Sequence, residues 1–243
     1  MALPILETAT YELTLPSSDV QVKYRPFLVK EEKVLLLAME SEDGKQITSA
    51  LKDIVRTCTF NSVNVEALPT FDLEYIFLNI RAKSVGEVTK LKLLCPDDKE
   101  TYANVELDLS KVEVQVDDEH SNEISITDKV KMIMRYPTID TFDPSIDATK
   151  LKTNQLFDII ANTVYEIYDG ETVHKASDYS KKEMHEFIES LTSDHFAKIQ
   201  KFFNTMPRLQ HELEVENPKT KVKSKVMLSG LQSFFVSPSH MTT

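Results

Sequence analysis

An α+β fold, helical segments combined with antiparallel β-hairpins or small sheets, is predicted by three observations on this 243-residue sequence. Apolar residues recur at helical spacing in both halves, they alternate with polar residues in other stretches, and clusters of Pro, Asn, Asp and Gly mark the changes between the two periods. The order of helices followed by a hairpin occurs in each half. The loop or linker over 138–150 sets the boundary between two expected subdomains: a helical plus β-hairpin region over 1–137 and a second helical plus β-hairpin region over 151–243.

At the N-terminus Tyr11, Leu13 and Leu15 alternate with Glu12 and Thr14, and beyond Pro16-Ser17-Ser18 the stretch Val20 to Phe27 alternates again. Two short strands follow from that, or arms lying on a neighbour. Lys30 to Glu40 carries Val34, Leu35, Leu37 and Ala38 behind an acidic first turn, which favours a helix, and Gly44 is expected to end it. Ile47, Leu51, Ile54 and Val55 stand at i, i+4, i+7 and i+8, one helical face that continues to Cys58. The clearest helix begins at Thr70, read as an N-cap after Pro69. Asp72 and Glu74 occupy its first turn, Leu73, Ile76, Phe77 and Ile80 form its apolar stripe, and Gly86 stops it.

From Val88 the period falls to two. Val88 to Leu94 and Tyr102 to Val116 read as strands around the turn Cys95 to Glu100, with Ile124 to Tyr136 as a third, together one antiparallel sheet. Eleven Asp/Glu against Lys99 and Lys111 between residues 97 and 128 would make its outer surface acidic, a property that keeps a sheet soluble or meets a basic partner. Thr138 to Thr149, with Asp143-Pro144, reads as the linker. Helices are expected again over Asn154 to Glu166, over Lys181 to Leu191 behind the capping box Ser180/Glu183, and over Phe196 to Thr205 behind Thr192-Ser193-Asp194, stopped by Pro207. Finally His211, Leu213 and Val215 lead into Asn217-Pro218-Lys219-Thr220, and Val222 to Leu228 returns, a β-hairpin.

Composition excludes more than it assigns. With 28 Lys+Arg against 39 Asp+Glu the net charge is −11, which argues against nucleic acid as the main partner. No apolar run reaches the length of a membrane span, and Glu7 and Glu12 stand where a secretion signal would need apolar residues. Two distant cysteines, Cys58 and Cys95, are expected as reduced thiols rather than a disulfide framework. The four glycines are isolated, so there is no phosphate-cradling loop. Six scattered histidines include no zinc-binding pair at helical spacing; His185 is expected on the surface and His195 at a helix cap. Cys95 beside Asp97 and Asp98 lacks a second cysteine nearby, so a partly buried thiol is expected there. No catalytic, cofactor-binding or metal-binding residue is assigned. One segment invites a partner: Lys219, Lys221, Lys223 and Lys225 alternate, placing four lysines on one strand face in a tail without acids. An edge strand protected from unwanted pairing explains them, and so does docking onto an acidic surface of a neighbouring copy or another protein.

A family resemblance adds what these patterns leave open. Ala50-Leu51-Lys52-Asp53-Ile54, Leu68-Pro69-Thr70-Phe71-Asp72-Leu73-Glu74-Tyr75 and Arg81-Ala82-Lys83-Ser84-Val85-Gly86-Glu87, with Phe202-Phe203-Asn204-Thr205-Met206-Pro207 and Leu228-Ser229-Gly230-Leu231 later on, resemble the baseplate hub subunits of T4-like contractile-tailed bacteriophages. The similarity covers roughly residues 8–236. It implies a non-enzymatic protein that binds other baseplate hub or tail proteins, located in the virion tail baseplate or in the host cytoplasm during assembly. A permanent hub subunit and a transient assembly chaperone both fit, self-association stays open, and the competitor from another class is an enzyme with an unrecognised site. Some relatives carry Cys-Pro-x-Cys knuckles at two hairpin turns, suggestive of zinc ribbons. Here the first reads Cys95-Pro96-Asp97-Asp98 and the second Asn217-Pro218-Lys219-Thr220, so these turns are expected to hold by hairpin chemistry and packing, without a metal.

Overall fold

A computed structural model describes residues 7–141 and 153–234. In chain order its elements are β1 (Tyr11–Thr14), β2 (Gln21–Tyr24), α1 (Val29–Glu40), α2 (Gly44–Cys58), α3 (Thr70–Val85), β3 (Val88–Leu94), β4 (Tyr102–Asp108), β5 (Glu113–Gln115), β6 (Glu123–Ser125), β7 (Val130–Met134), α4 (Thr153–Thr163), β8 (Val164–Asp169), β9 (Thr172–Lys175), α5 (Lys181–Glu189), α6 (Ser193–Thr205), β10 (Arg208–Glu216) and β11 (Lys223–Ser229). The fold is α+β, with six helices and four small antiparallel sheets among the described residues. Contacts group the chain into two units, one from the described residues of Met1–Gln115 and Arg208–Thr243, the other from those of Val116–Pro207. The linker expected over 138–150 lies, from residue 142 onward, outside the described residues.

The first unit is organised by α3. Phe71, Leu73, Ile76, Phe77, Leu78 and Ile80 are all buried, so apolar groups surround the helix instead of forming one stripe, the pattern of a helix in a core. Pro69 takes the N-cap position and Thr70 is already helical, one residue out of step with the expected cap. The stop is as expected: Gly86 adopts φ +116°, which a residue with a Cβ adopts only under strain. Gly44, by contrast, opens α2 instead of closing α1. Asp43 caps it by accepting from Lys45 N at 2.9 Å, and α1 has ended at Glu40. The β1–β2 hairpin sets Tyr11 opposite Tyr24 and buries Leu13 and Val22.

The single sheet expected over 88–136 is divided among three. Asp108 accepts from Ser110 N at 3.0 Å and Ser110 Oγ at 2.6 Å. This local turn competes with the strand ladder and ends β4 in a 3₁₀ turn over Leu109–Lys111. β5 then leaves the β3–β4 hairpin and pairs with β10, which lies between β11 and β5 in a three-stranded sheet. Further on, Thr127 Oγ1 accepts from Lys129 N and Val130 N at 3.3 and 3.0 Å and folds the expected strand 124–136 into the β6–β7 hairpin. The acidic residues of 97–128 are thus shared between the two units and do not form one sheet face.

The second unit packs the sheet β6-β7-β8-β9 with α4, α5 and α6 around Met132, Met134, Ile160, Val164, Ile188, Ile199 and Phe202. α4 ends three residues before the expected Glu166. Thr163 Oγ1 turns back to donate to Ile159 O and Ile160 O, and the β-branched Val164 opens β8. The β8–β9 hairpin around Gly170 is an element the sequence reading lacks. The Ser180/Glu183 capping box of α5 is present as expected, and Thr192 caps α6.

Candidate functional site

Two turns of like sequence share a backbone path. In Cys95-Pro96-Asp97-Asp98-Lys99, Lys99 N donates to Cys95 O at 3.0 Å; in Asn217-Pro218-Lys219-Thr220-Lys221, Lys221 N donates to Asn217 O at 2.9 Å. Lys99 and Lys221 adopt φ +55° and +64°, the left-handed residue each turn requires. The β3–β4 and β10–β11 hairpins bring these turns together. Asn217 Nδ2 donates to Asp97 Oδ1 and Oδ2, both at 3.0 Å, and Thr220 Oγ1 donates to Asp97 Oδ2 at 2.5 Å. Beneath them Cys95, Ala103 and Val215 form a small buried cluster.

These turns do not fit a metal. Hydrogen bonds from Thr220 and Asn217 hold the Asp97 carboxyl below its ordinary value, and those from Thr101 Oγ1, Thr101 N and Glu100 N hold Asp98 well below the usual carboxylate range. Both carboxylates are therefore committed to protein donors. The single thiol, Cys95, is pushed up by burial and by the charges of Asp97 and Asp98, so it stays protonated. Among the described residues no group of three or more His, Cys, Asp or Glu is placed to hold a metal ion.

The four lysines do not share one strand face. Only Lys223 and Lys225 lie on β11; Lys219 and Lys221 belong to the turn before it. Lys223 Nζ sits 2.7 Å from Glu214 Oε1 and Lys225 Nζ 2.7 Å from Glu212 Oε1, so these ammonium groups face carboxylates of their own hairpin. Lys221 reaches Glu216 at 4.0 Å. Lys219 alone of the four makes no ion pair among the described residues.

An apolar face appears elsewhere. On α1, Val29, Leu36 and Leu37 are 80, 45 and 55% exposed, and their i, i+7, i+8 spacing sets them on one side of the helix, which exposed Lys33 and Glu40 share. The opposite side buries Leu35 and Ala38 together with a charge, Glu31. Glu31 pairs with Arg25 at 3.0 Å, and Arg25 Nη1 lies 3.7 Å from the sulfur of fully buried Cys58. Burial opposes the charge of Glu31, yet the bonds from Arg25 and Leu28 N outweigh it and hold its carboxyl below its ordinary value. Burial pushes the Cys58 thiol up to about 11. α1 is thus anchored by an ion pair while it presents leucine and valine outward. The sequence carried one signal of this, the run Val34-Leu35-Leu36-Leu37, too apolar for a single inward stripe.

Of the histidines, His185 is half-buried with Nε2 2.8 Å from Asp158 Oδ1, in place of the expected free surface position. His195 lies at the α6 cap, its N donating to Thr192 Oγ1 at 3.4 Å. No helix among the described residues is long and apolar enough to cross a membrane.

The profile of one protein family, described as T4 bacteriophage base plate protein, matches residues 8–236. No curated protein and no solved structure matches the chain.

Proposed function

The chain belongs to the T4 bacteriophage base plate protein family, and from that premise we propose that it is a hub subunit of the tail baseplate, acting through protein–protein contacts and without turnover. The observation that carries this reading is a family match running through both units, not confined to one. The exposed face of α1 supports it, since apolar side chains grouped on one surface mark a protein contact more often than a free monomer surface. A permanent subunit would bury an interface of about 2,000 Å² or more, and α1 offers the apolar centre that such an interface needs.

Mass spectrometry of purified particles, beside pull-downs of tagged chain from infected-cell lysate, tests the proposal. Presence in particles at a fixed stoichiometry with the other hub proteins is the expected result. Hub proteins recovered from lysate, with the chain absent from particles, would replace the proposal with a transient assembly chaperone.

A further inference from the structure

In the unit Val116–Pro207 a cavity of ≈ 410 Å³ opens where α4, β8, the end of β9 and the start of α5 meet. Its lining includes three cations, Arg135, Lys175 and Lys181, and no Asp or Glu, an inversion of the chain's net charge of −11. Arg135 Nε donates to Asn162 O at 2.8 Å, which fixes the guanidinium and leaves its two terminal nitrogens without a hydrogen bond among the described residues. Lys175 is exposed and makes no ion pair among the described residues, although Glu166 stands opposite it in the β8–β9 ladder. Lys181 is flanking and partly neutralised, 2.8 Å from Asp158, the carboxylate that also faces His185. Buried Met184 and Val164 supply an apolar floor, and the exposed ring of Tyr165 borders it.

We infer that this cavity receives an acidic segment of a partner protein. A carboxylate of that segment meets Arg135 and Lys175, and an adjacent apolar side chain lies on the floor beside Tyr165. Charge complementarity selects the occupant: a planar guanidinium with its fork open suits a carboxylate. A phosphoryl group is the poorer fit. Of the amides at the start of α5, Ser180 N is engaged by Glu183 Oε2 at 2.8 Å and Glu183 N by Ser180 Oγ at 3.3 Å, and no glycine lines the cavity. The inference rests on the reading of the chain as a protein that works through protein partners.

Zero-length carbodiimide coupling, which joins an amine to a carboxylate in contact with it, tests this on purified particles and on complexes recovered from infected-cell lysate. The Lys181–Asp158 pair serves as the internal control of coupling. The expected product joins Lys175 to an Asp or Glu of another polypeptide, identified by peptide sequencing. A variant carrying Arg135→Glu and Lys175→Glu, shown folded by circular dichroism, is expected to recover that same polypeptide about tenfold less well than the parent. Coupling of the control pair in both preparations with no intermolecular link at Lys175 would overturn the inference; if the chain is then present in particles, the hub reading stands without it. Saturable binding of inorganic phosphate that displaces the coupled polypeptide and is lost in the double variant would overturn it in favour of a phosphoryl ligand.

Discussion

Asn217 donates from one amide nitrogen to both carboxylate oxygens of Asp97, at 3.0 Å each, across 120 residues of sequence. Asn217 is 1% exposed, so Asn217→Ala removes the donor from a closed polar junction and is expected to cost about 1–3 kcal/mol. The turn above Cys95 loosens with it. Titration with an aromatic disulfide should therefore find Cys95 reacting faster in the variant while Cys58, enclosed elsewhere, keeps its parental rate.

The acid limb of stability follows from the carboxylates. Asp97, Asp98 and Glu31 are held below their ordinary values in the folded chain, so protons bind the unfolded chain more readily. Their contribution is present above the unfolded carboxyl range near about 4 and is lost as pH falls through the folded values. Asp72 has the opposite sign. It is fully buried, and that burial raises its pKa against the hydrogen bonds from Ser17, so its contribution is present at low pH and lost as pH rises. Thermal unfolding should show a decline in Tm below about pH 4. Asp72→Asn, which keeps an acceptor for Ser17 N and removes the charge, should raise Tm at pH 7 and leave it unchanged at pH 3.

Arg25 and Glu31 form a buried pair whose side chains are 11 and 9% exposed. Removing one member strands the other charge, so Glu31→Ala is expected to cost about 3–5 kcal/mol in urea unfolding. Replacing both by apolar residues of similar volume, Arg25→Met with Glu31→Leu, should return most of that loss. A double variant no more stable than Glu31→Ala would show that the loss does not come from a stranded Arg25 charge.

Reversing the hairpin lysines separates structural from partner roles. Lys223→Glu and Lys225→Glu each set an added carboxylate beside Glu214 and Glu212, so Tm should fall in the isolated protein. Lys219→Glu, whose side chain makes no ion pair among the described residues, should leave Tm unchanged. A loss of partner recovery with Lys219→Glu at unchanged Tm would assign that lysine to an interface.

Gly230 adopts φ +71°, and a Cβ there would lie 3.6 Å from Glu74 Oε1, an ordinary contact. The left-handed backbone is then the main source of strain, and Gly230→Ala is expected to cost about 1–2 kcal/mol. Glu74→Ala should cost a similar amount, because the buried Leu231 N would lose the carboxylate it donates to at 3.0 Å. Urea unfolding of both variants checks these values.

Where the sequence was legible, the determinant was local. The Ser180/Glu183 cap, the stop at Gly86 and the Asn217-Pro218 turn each lie within a few residues of the element they delimit. Thr163 and Asp108 show the limit of this reading. Their side chains end elements through bonds to near neighbours, but Thr and Asp occur inside helices and strands as well, so residue type alone does not announce the break. The distribution of 88–136 among three sheets was invisible for another reason: alternation reports that a segment is extended, not which strand it pairs with. The site suffered most, because Asp97 with Asn217, and Arg25 with Glu31 and Cys58, are set by tertiary packing and leave no period in the chain.

The place of β10 between β5 and β11 sets the timetable of synthesis against that of folding. Gln115 and Arg208 are opposite one another in the ladder, so the first 115 residues leave the ribosome long before their sheet can gain its middle strand. The stretch from 116 to 207 is contiguous and emerges complete before β10 does. A nascent chain folds by units as they become available. The unit begun first is thus finished last, and it waits for β10 and β11 to be translated.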